Sequence, residues 1–257
     1  MATAMTDEQK YFFDLRGWML LPGVLAEAEC ASIRAHLKEG GSPFTGPAQE
    51  LLDHPAVVEM LSEILGGGTS PDDYYEFRCE GSFVTIRQQG WTPRGTDQPH
   101  GAPAVSPQHY RTDGRRIYSG LTRVVWELNP VMRGDGGTLF LSGSHKAGFP
   151  QPPSVLLPDN PHLQDYACPA GSVLIFTEST LHAATSWKNP DVERIAIFSA
   201  YNHYSAQYHR LNLDPEIIAT MPPKRQSLFR GVYVHDFTIR PHEEGGNRYY
   251  SETNRAL

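Results

Sequence analysis

Cysteine is scarce in this chain. Cys30, Cys79 and Cys168 lie far apart, are odd in number and form no CxxC pair. That excludes a disulfide framework and the cysteine-based metal and redox motifs, and predicts a reducing, cytoplasmic setting. Long apolar runs are also missing. No segment approaches the roughly 18 residues that span a bilayer. The opening MATAMTDEQKYFF lacks the basic and then apolar pattern of a signal peptide. No membrane partner is therefore expected. Positive charge is not in excess either: 22 Lys and Arg stand against 29 Asp and Glu, a net charge of −7. A nucleic-acid polymer is an unexpected partner for such a balance. No internal repeat is present.

What is present is a chain of 257 residues with 23 Gly and 21 Pro, rich in turns and unlike a helical bundle. The pattern predicts three helices near the start: one begun by a Thr6–Gln9 capping box and closed near Gly17, one over residues 26–38, and one over residues 47–65. A short apolar strand, WMLLPGV, lies between the first two. From residue 74 the character changes. EFRCEGSFVTIRQQG reads as two short alternating runs around Gly81, and a long polar loop covers residues 91–120. LTRVVWELNPV, TLFLSGSH, SVLIF and RIAIFSAYNHY follow as strands. Strands at this spacing without intervening helices predict a mainly β protein with flanking helices, a double-stranded β-helix or jelly roll. The whole chain reads as a single domain: bracing helices over about 6–66, a jelly-roll core over about 74–204, and a covering segment over 205–257.

Two histidines stand out. His100 lies in PHGAPAV, within the polar loop, and His182 follows the apolar strand SVLIF. A non-haem iron centre needs imidazole and carboxylate on one side of the ion, with the other side open. On a strand, a carboxylate two residues beyond the first His would point the same way. Here that position is Ala102. The sole His with an acid two residues on is His242, in His242-Glu243-Glu244, too late in the chain to precede a distal ligand.

These segments together resemble the phytanoyl-CoA dioxygenase family of iron(II)/2-oxoglutarate oxygenases. FFDLRGWMLLPGVL resembles that family's opening helix and strand, and GDGGTLFLSGSHK its Gly-rich turn and GSHK signature. The pair His182 and Arg194 resembles its distal iron ligand and 2-oxoglutarate anchor. TIRQQ matches the strand that often carries a second basic contact, here Arg87. The resemblance covers roughly residues 6–204. It implies Fe(II) held by His100 and His182, and 2-oxoglutarate held by Arg194 with Arg87. A guanidinium offers a bidentate fork for the cosubstrate's far carboxylate. Trp126 is placed with these two arginines on the cosubstrate side. O₂ is the oxidant. In GSHK, His145 is expected to stabilise a turn.

The family's usual His-x-Asp reads His100-Gly101-Ala102 in this chain. Three readings of Ala102 follow. An iron centre with Ala at this position resembles the iron/2-oxoglutarate halogenases, in which chloride takes the place of the carboxylate. Alternatively Asp97 or Asp113 in the 91–120 loop supplies the carboxylate, and the enzyme is a hydroxylase. In the third reading the site is a non-catalytic metal-binding module.

The loop is locally basic, with Arg94, Arg111, Arg115 and Arg116, and His109 lies among them. These residues are the candidate substrate contacts. A basic lining in an acidic protein suits a free anionic small molecule. Trp91, Tyr110, Tyr118 and Trp126 offer faces for a flat ring, so a nucleotide or nucleoside phosphate fits both features.

Overall fold

The computed structural model describes residues 5–66, 74–101, 109–157 and 159–232, and the strand segments Phe237–Ile239 and Tyr249–Ser251. Helix α1 (Asp7–Arg16) starts at the reciprocal Thr6–Gln9 capping box and stops at Gly17, whose φ of 79° lies in the left-handed region. A Cβ at Gly17 would stand 2.1 Å from Thr180 Oγ1, so the glycine also lets α1 lie against the turn that precedes His182. Strand β1 (Trp18–Leu21) and helix α2 (Glu27–Lys38) follow.

The helix expected over residues 47–65 is two pieces: a 3₁₀ helix, Gly46–Asp53, and helix α3, Pro55–Ile64. Pro55 has no N–H to continue the ladder and drives His54 into extended backbone, with ψ 133°. The His54 ring then caps α3 by accepting from the Ala56 N–H at 3.3 Å.

The two runs expected around Gly81 form one strand, β2 (Phe77–Arg87), with a bulge between Cys79 and Gly81. The bulge absorbs one extra residue, so pairing continues where the sequence suggests a break. The polar loop holds a small hairpin of β3 (Arg111–Thr112) and β4 (Ile117–Tyr118). Then come β5 (Thr122–Glu127), β6 (Thr138–Phe140), β7 (Ser172–Thr177), β8 (His182–Ala184) and β9 (Arg194–His203). β6 is shorter than the expected run to His145, because Gly143 (φ 84°) turns the chain into a 3₁₀ helix at Ser144–Lys146.

Five strands form an antiparallel sheet in the order β1-β7-β5-β9-β2. Side-chain alternation gives it two apolar faces. Val124, Trp126, Ile175, Ile197 and Tyr201 pack against the helices. Val125, Leu174, Phe176, Ala196 and Phe198 pack with Phe140, Tyr166 and Trp187 of a second layer. That layer pairs β6 with β8 and is extended by single bridges from Gln164 to Phe140 and from His100 to His182. Two layers of antiparallel strands with helices on the outer face make the jelly roll. After β9 the chain returns to the helices through α4 (Pro215–Ala219) and α5 (Pro223–Gln226), where buried Arg225 pairs with Asp53 and Glu50. β10 (Phe237–Ile239) and β11 (Tyr249–Ser251) pair with each other. Among the described residues no helix is long and apolar enough to cross a membrane.

Candidate metal centre

His182 opens β8, and His100 lies directly opposite it. The N–H of each donates to the carbonyl of the other, at 2.9 and 2.8 Å. Residues paired in this way project to the same side of a ladder. The two rings accordingly sit 4.2 Å apart between centroids. Each ring turns one nitrogen to a backbone carbonyl: His100 Nδ1 to Gln98 O at 2.6 Å, and His182 Nδ1 to Thr180 O at 2.7 Å. A carbonyl only accepts, so each Nδ1 carries a proton and Nε2 is the nitrogen left to serve as a metal donor. Burial pushes the His182 imidazolium down to about 4 against the pull of Glu178, so the ring is neutral near pH 7.

Glu178 completes the cluster. One donor atom from each of His100, Glu178 and His182 lies within 4.8 Å of the others, and among the described residues no other three His, Cys, Asp or Glu side chains gather so closely. Its Oε1 is 3.9 Å from His182 Nε2, and its Oε2 accepts from Arg123 Nε at 2.7 Å. Burial raises the Glu178 carboxyl, but His182 and Arg123 outweigh that and hold it below the ordinary carboxylate range. Two imidazoles and one carboxylate are a donor set for a divalent first-row metal such as Fe(II), beside a cavity.

The hydroxylase alternative drawn from the sequence takes this carboxylate from Asp97 or Asp113, and the structure brings neither into the cluster. Asp113 is spent in the β3–β4 turn, where Oδ1 accepts the N–H groups of Arg115 and Arg116. Asp97 lines the same cavity but turns to Arg94 N at 3.2 Å and to Arg87 Nη2 at 4.0 Å. Ala102 lies outside the described residues. A His-x-acid pattern passes over Glu178, which precedes its histidine instead of following one by two residues. The usable signal was an acid four residues before His182, on the same turn.

The cavity beside the cluster measures about 390 Å³ and is lined by Arg87, Asp97, Arg123, Thr138 and aromatic side chains as well as the three clustered residues. Arg194 is fully buried and already paired: Nε and Nη2 donate to the equally buried Glu127 carboxylate, with further bonds to Tyr166 and Thr138. Burial alone would lower its guanidinium, but Glu127 holds it above its ordinary value. Arg87 lies near enough to feel it. Burial, and then the like charge of Arg194, bring the Arg87 guanidinium down to about 10. Arg87 stacks on Trp91, 3.8 Å from its ring centre, and donates through Nε to Thr85. The Nη1 atoms of Arg87 and Arg194 are both buried without a hydrogen-bond partner. Arg194 is already balanced by Glu127, and Arg87 has the half-exposed Asp97 carboxylate at 4.0 Å, so the Arg87 Nη1 is the buried donor still open to an incoming carboxylate. Arg87 rather than Arg194 faces the cavity.

The other expected contacts are dispersed. Trp126 is on the helix-facing side of β5, beside the His54 ring, because strand alternation turns it away from Arg123 and Glu127. His109 and Arg111 line a separate cleft with Tyr118, Asn202 and His203. Arg115 and Arg116 are exposed on the hairpin turn, and Arg94 is exposed at the start of a short 3₁₀ turn. His145 is buried and bonds Asp14 O through Nε2 at 3.0 Å, tying the turn after β6 to α1. The sequence reading did not single out four further cavity residues: Phe83 and Phe198, stacked 5.1 Å apart, and Tyr208 and His209 from the loop after β9.

No protein-family model and no curated protein matches this chain. Solved structures do. HygX from Streptomyces hygroscopicus with iron bound superposes with a TM-score of 0.68 at 19% identity, covering 84% of this chain and 94% of that one. HygX with nickel and 2-oxoglutarate bound gives 0.67 at 20% identity over 90% and 96%. The non-heme alpha ketoglutarate dependent carbocyclase SnoK from nogalamycin biosynthesis gives 0.55 at 17% identity over 86% and 92%. At these identities the likeness establishes the shared jelly-roll fold.

Proposed function

We propose that this chain is an Fe(II)- and 2-oxoglutarate-dependent oxygenase that oxidises an aliphatic C–H bond of a free small molecule. The observation that carries the reading is the His100–His182 strand pair: two imidazoles with Nδ1 pinned by backbone carbonyls, side by side on a cavity that Arg87 also lines. The sequence resemblance to phytanoyl-CoA dioxygenases supports it. So do neighbours of the same fold that hold iron, or nickel with 2-oxoglutarate.

When bound, iron with its cosubstrate and O₂ supplies the oxidising chemistry: R–H, 2-oxoglutarate and O₂ become R–OH, succinate and CO₂. The chain's own residues do the rest. His100 and His182, with Nδ1 pinned by carbonyls, present Nε2 without further reorganisation. Arg87 offers its free Nη1 to the far carboxylate of 2-oxoglutarate, and Arg194, held by Glu127, supports the charge from behind. Phe83, Phe176 and Phe198 provide apolar walls, while Tyr208 and His209 supply polar groups on the loop after β9. Arg94, Arg111, Arg115 and Arg116 do not line this cavity, and Arg123, which does, is paired with Glu178, so a small molecule with apolar faces is better supported as the substrate than a nucleotide. HygX has also been solved with hygromycin B bound.

Chlorination is the second reading, carried by Ala102. There, chloride would occupy the metal position left by the missing Asp: R–H, Cl⁻, H⁺, 2-oxoglutarate and O₂ would give R–Cl, succinate, CO₂ and water. Anaerobic titration calorimetry of 2-oxoglutarate into the Fe(II)-loaded protein tests the shared core of both readings. Wild type should bind, Arg87→Ala should bind at least tenfold more weakly, and His182→Ala should lose metal-dependent binding. Unchanged binding in both variants would refute the assignment.

A further inference from the structure

We propose that Glu178 supplies the carboxylate ligand that the His100-Gly101-Ala102 sequence lacks, and that Arg123 is the residue that aims it. This rests on the metal reading above and adds the identity of its third donor. Glu178 is the one acidic side chain clustered with both imidazoles among the described residues. It precedes His182 by four residues on the turn between β7 and β8, and that turn is fixed on both sides. Thr180 Oγ1 donates to Gly17 O, and the Leu181 N–H donates to Ser144 Oγ at 2.7 Å. The carboxylate is therefore carried by a rigid segment.

Arg123 divides the work of the two oxygens. Its Nε takes Oε2 at 2.7 Å, leaving Oε1 as the oxygen nearer the histidines, 3.9 Å from His182 Nε2. Ligand bonds of about 2.1 Å at right angles put donors about 3 Å apart. The Glu178–His182 spacing is about 1 Å wider than that, a gap that a bound ion would have to draw in. An ordinary ion pair between Arg123 and Glu178 would not need the carboxylate to face two imidazoles. In the proposed arrangement the halide position is filled by protein, and the oxidised carbon receives oxygen.

The test uses Co(II) as probe, read by calorimetry and by its visible d–d absorption under inert gas. Glu178→Gln keeps the size of the side chain and an acceptor for Arg123, so it controls for folding. Glu178→Ala opens the position. Both should bind Co(II) at least tenfold more weakly than wild type. The Glu178→Ala spectrum should shift saturably with chloride, and the wild-type spectrum should not. If both variants bind Co(II) as wild type does while His182→Ala loses binding, Glu178 is not a ligand and the two-histidine site survives without it. If wild type itself binds no Co(II), the metal reading falls and this inference falls with it.

Discussion

Gly101 shows how little space the metal pair leaves. A Cβ there would stand 2.9 Å from Leu181 Cα and 3.0 Å from both Leu181 N and Thr180 O, all backbone atoms of the turn that carries His182. Gly101→Ala must push the His100 segment off its partner, with a stability cost of about 1–3 kcal/mol from overpacking and at least a tenfold loss of metal affinity. Chemical denaturation and metal titration of the same sample check both.

Glu127 and Arg194 are each fully buried, and removing one partner leaves a bare charge. Glu127→Ala should cost about 3–5 kcal/mol of stability, visible as a lower denaturant midpoint. His145 brings a pH dependence. Burial lowers its folded value from 6.5 to about 4, partly offset by its bond to Asp14 O. Protons then favour the unfolded chain. This contribution to stability is complete above about pH 6.5 and is lost as the pH falls toward 4, by about 1.4 kcal/mol per unit. His145→Asn should flatten the stability profile between pH 6.5 and 4. An unaltered slope would show that His145 titrates freely in the folded state. At this scale the two clustered histidines stood out in the sequence and Glu178 did not. Glu178 belongs to a turn, and its approach to His100 depends on a strand pairing that no local pattern announces.

At the scale of elements, both faces of the sheet are buried, so β5, β7 and β9 read as nearly continuous apolar runs. The three-residue β8 carries no such signal and exists through its pairing with β6 and His100. The bulge in β2 was also hidden, and it places Glu80. That buried carboxylate accepts the N–H groups of Tyr208 and His209, each at 3.0 Å, and the Asn202 side-chain amide at 3.1 Å. Glu80 therefore clips the loop after β9 onto the rim of the cavity. Glu80→Ala should raise hydrogen exchange at the Tyr208 and His209 amides by roughly tenfold or more, since local opening governs exchange there. Unchanged protection would show that the loop is held by other contacts.

Across the whole molecule, a net charge of −7 surrounds a cavity lined by Arg87 and Arg123, with Asp97 and Glu178 as their counter-charges. The jelly roll was readable from strand spacing and turn residues. The cavity was not, because Phe83, Arg87, Phe198 and Tyr208 meet only after strands distant in sequence pair. Ligands that select the folded state should stabilise it, by about 2.7 kcal/mol at a hundredfold excess over the dissociation constant. The most direct measurement of the central claim is the visible absorption of the anaerobic protein after adding Fe(II) and then 2-oxoglutarate. A metal-to-ligand charge-transfer band that is absent in His182→Ala and indifferent to chloride is the predicted result. No band in the wild-type protein would contradict the account, and a band that shifts saturably with chloride would return Ala102 to the centre of the chemistry.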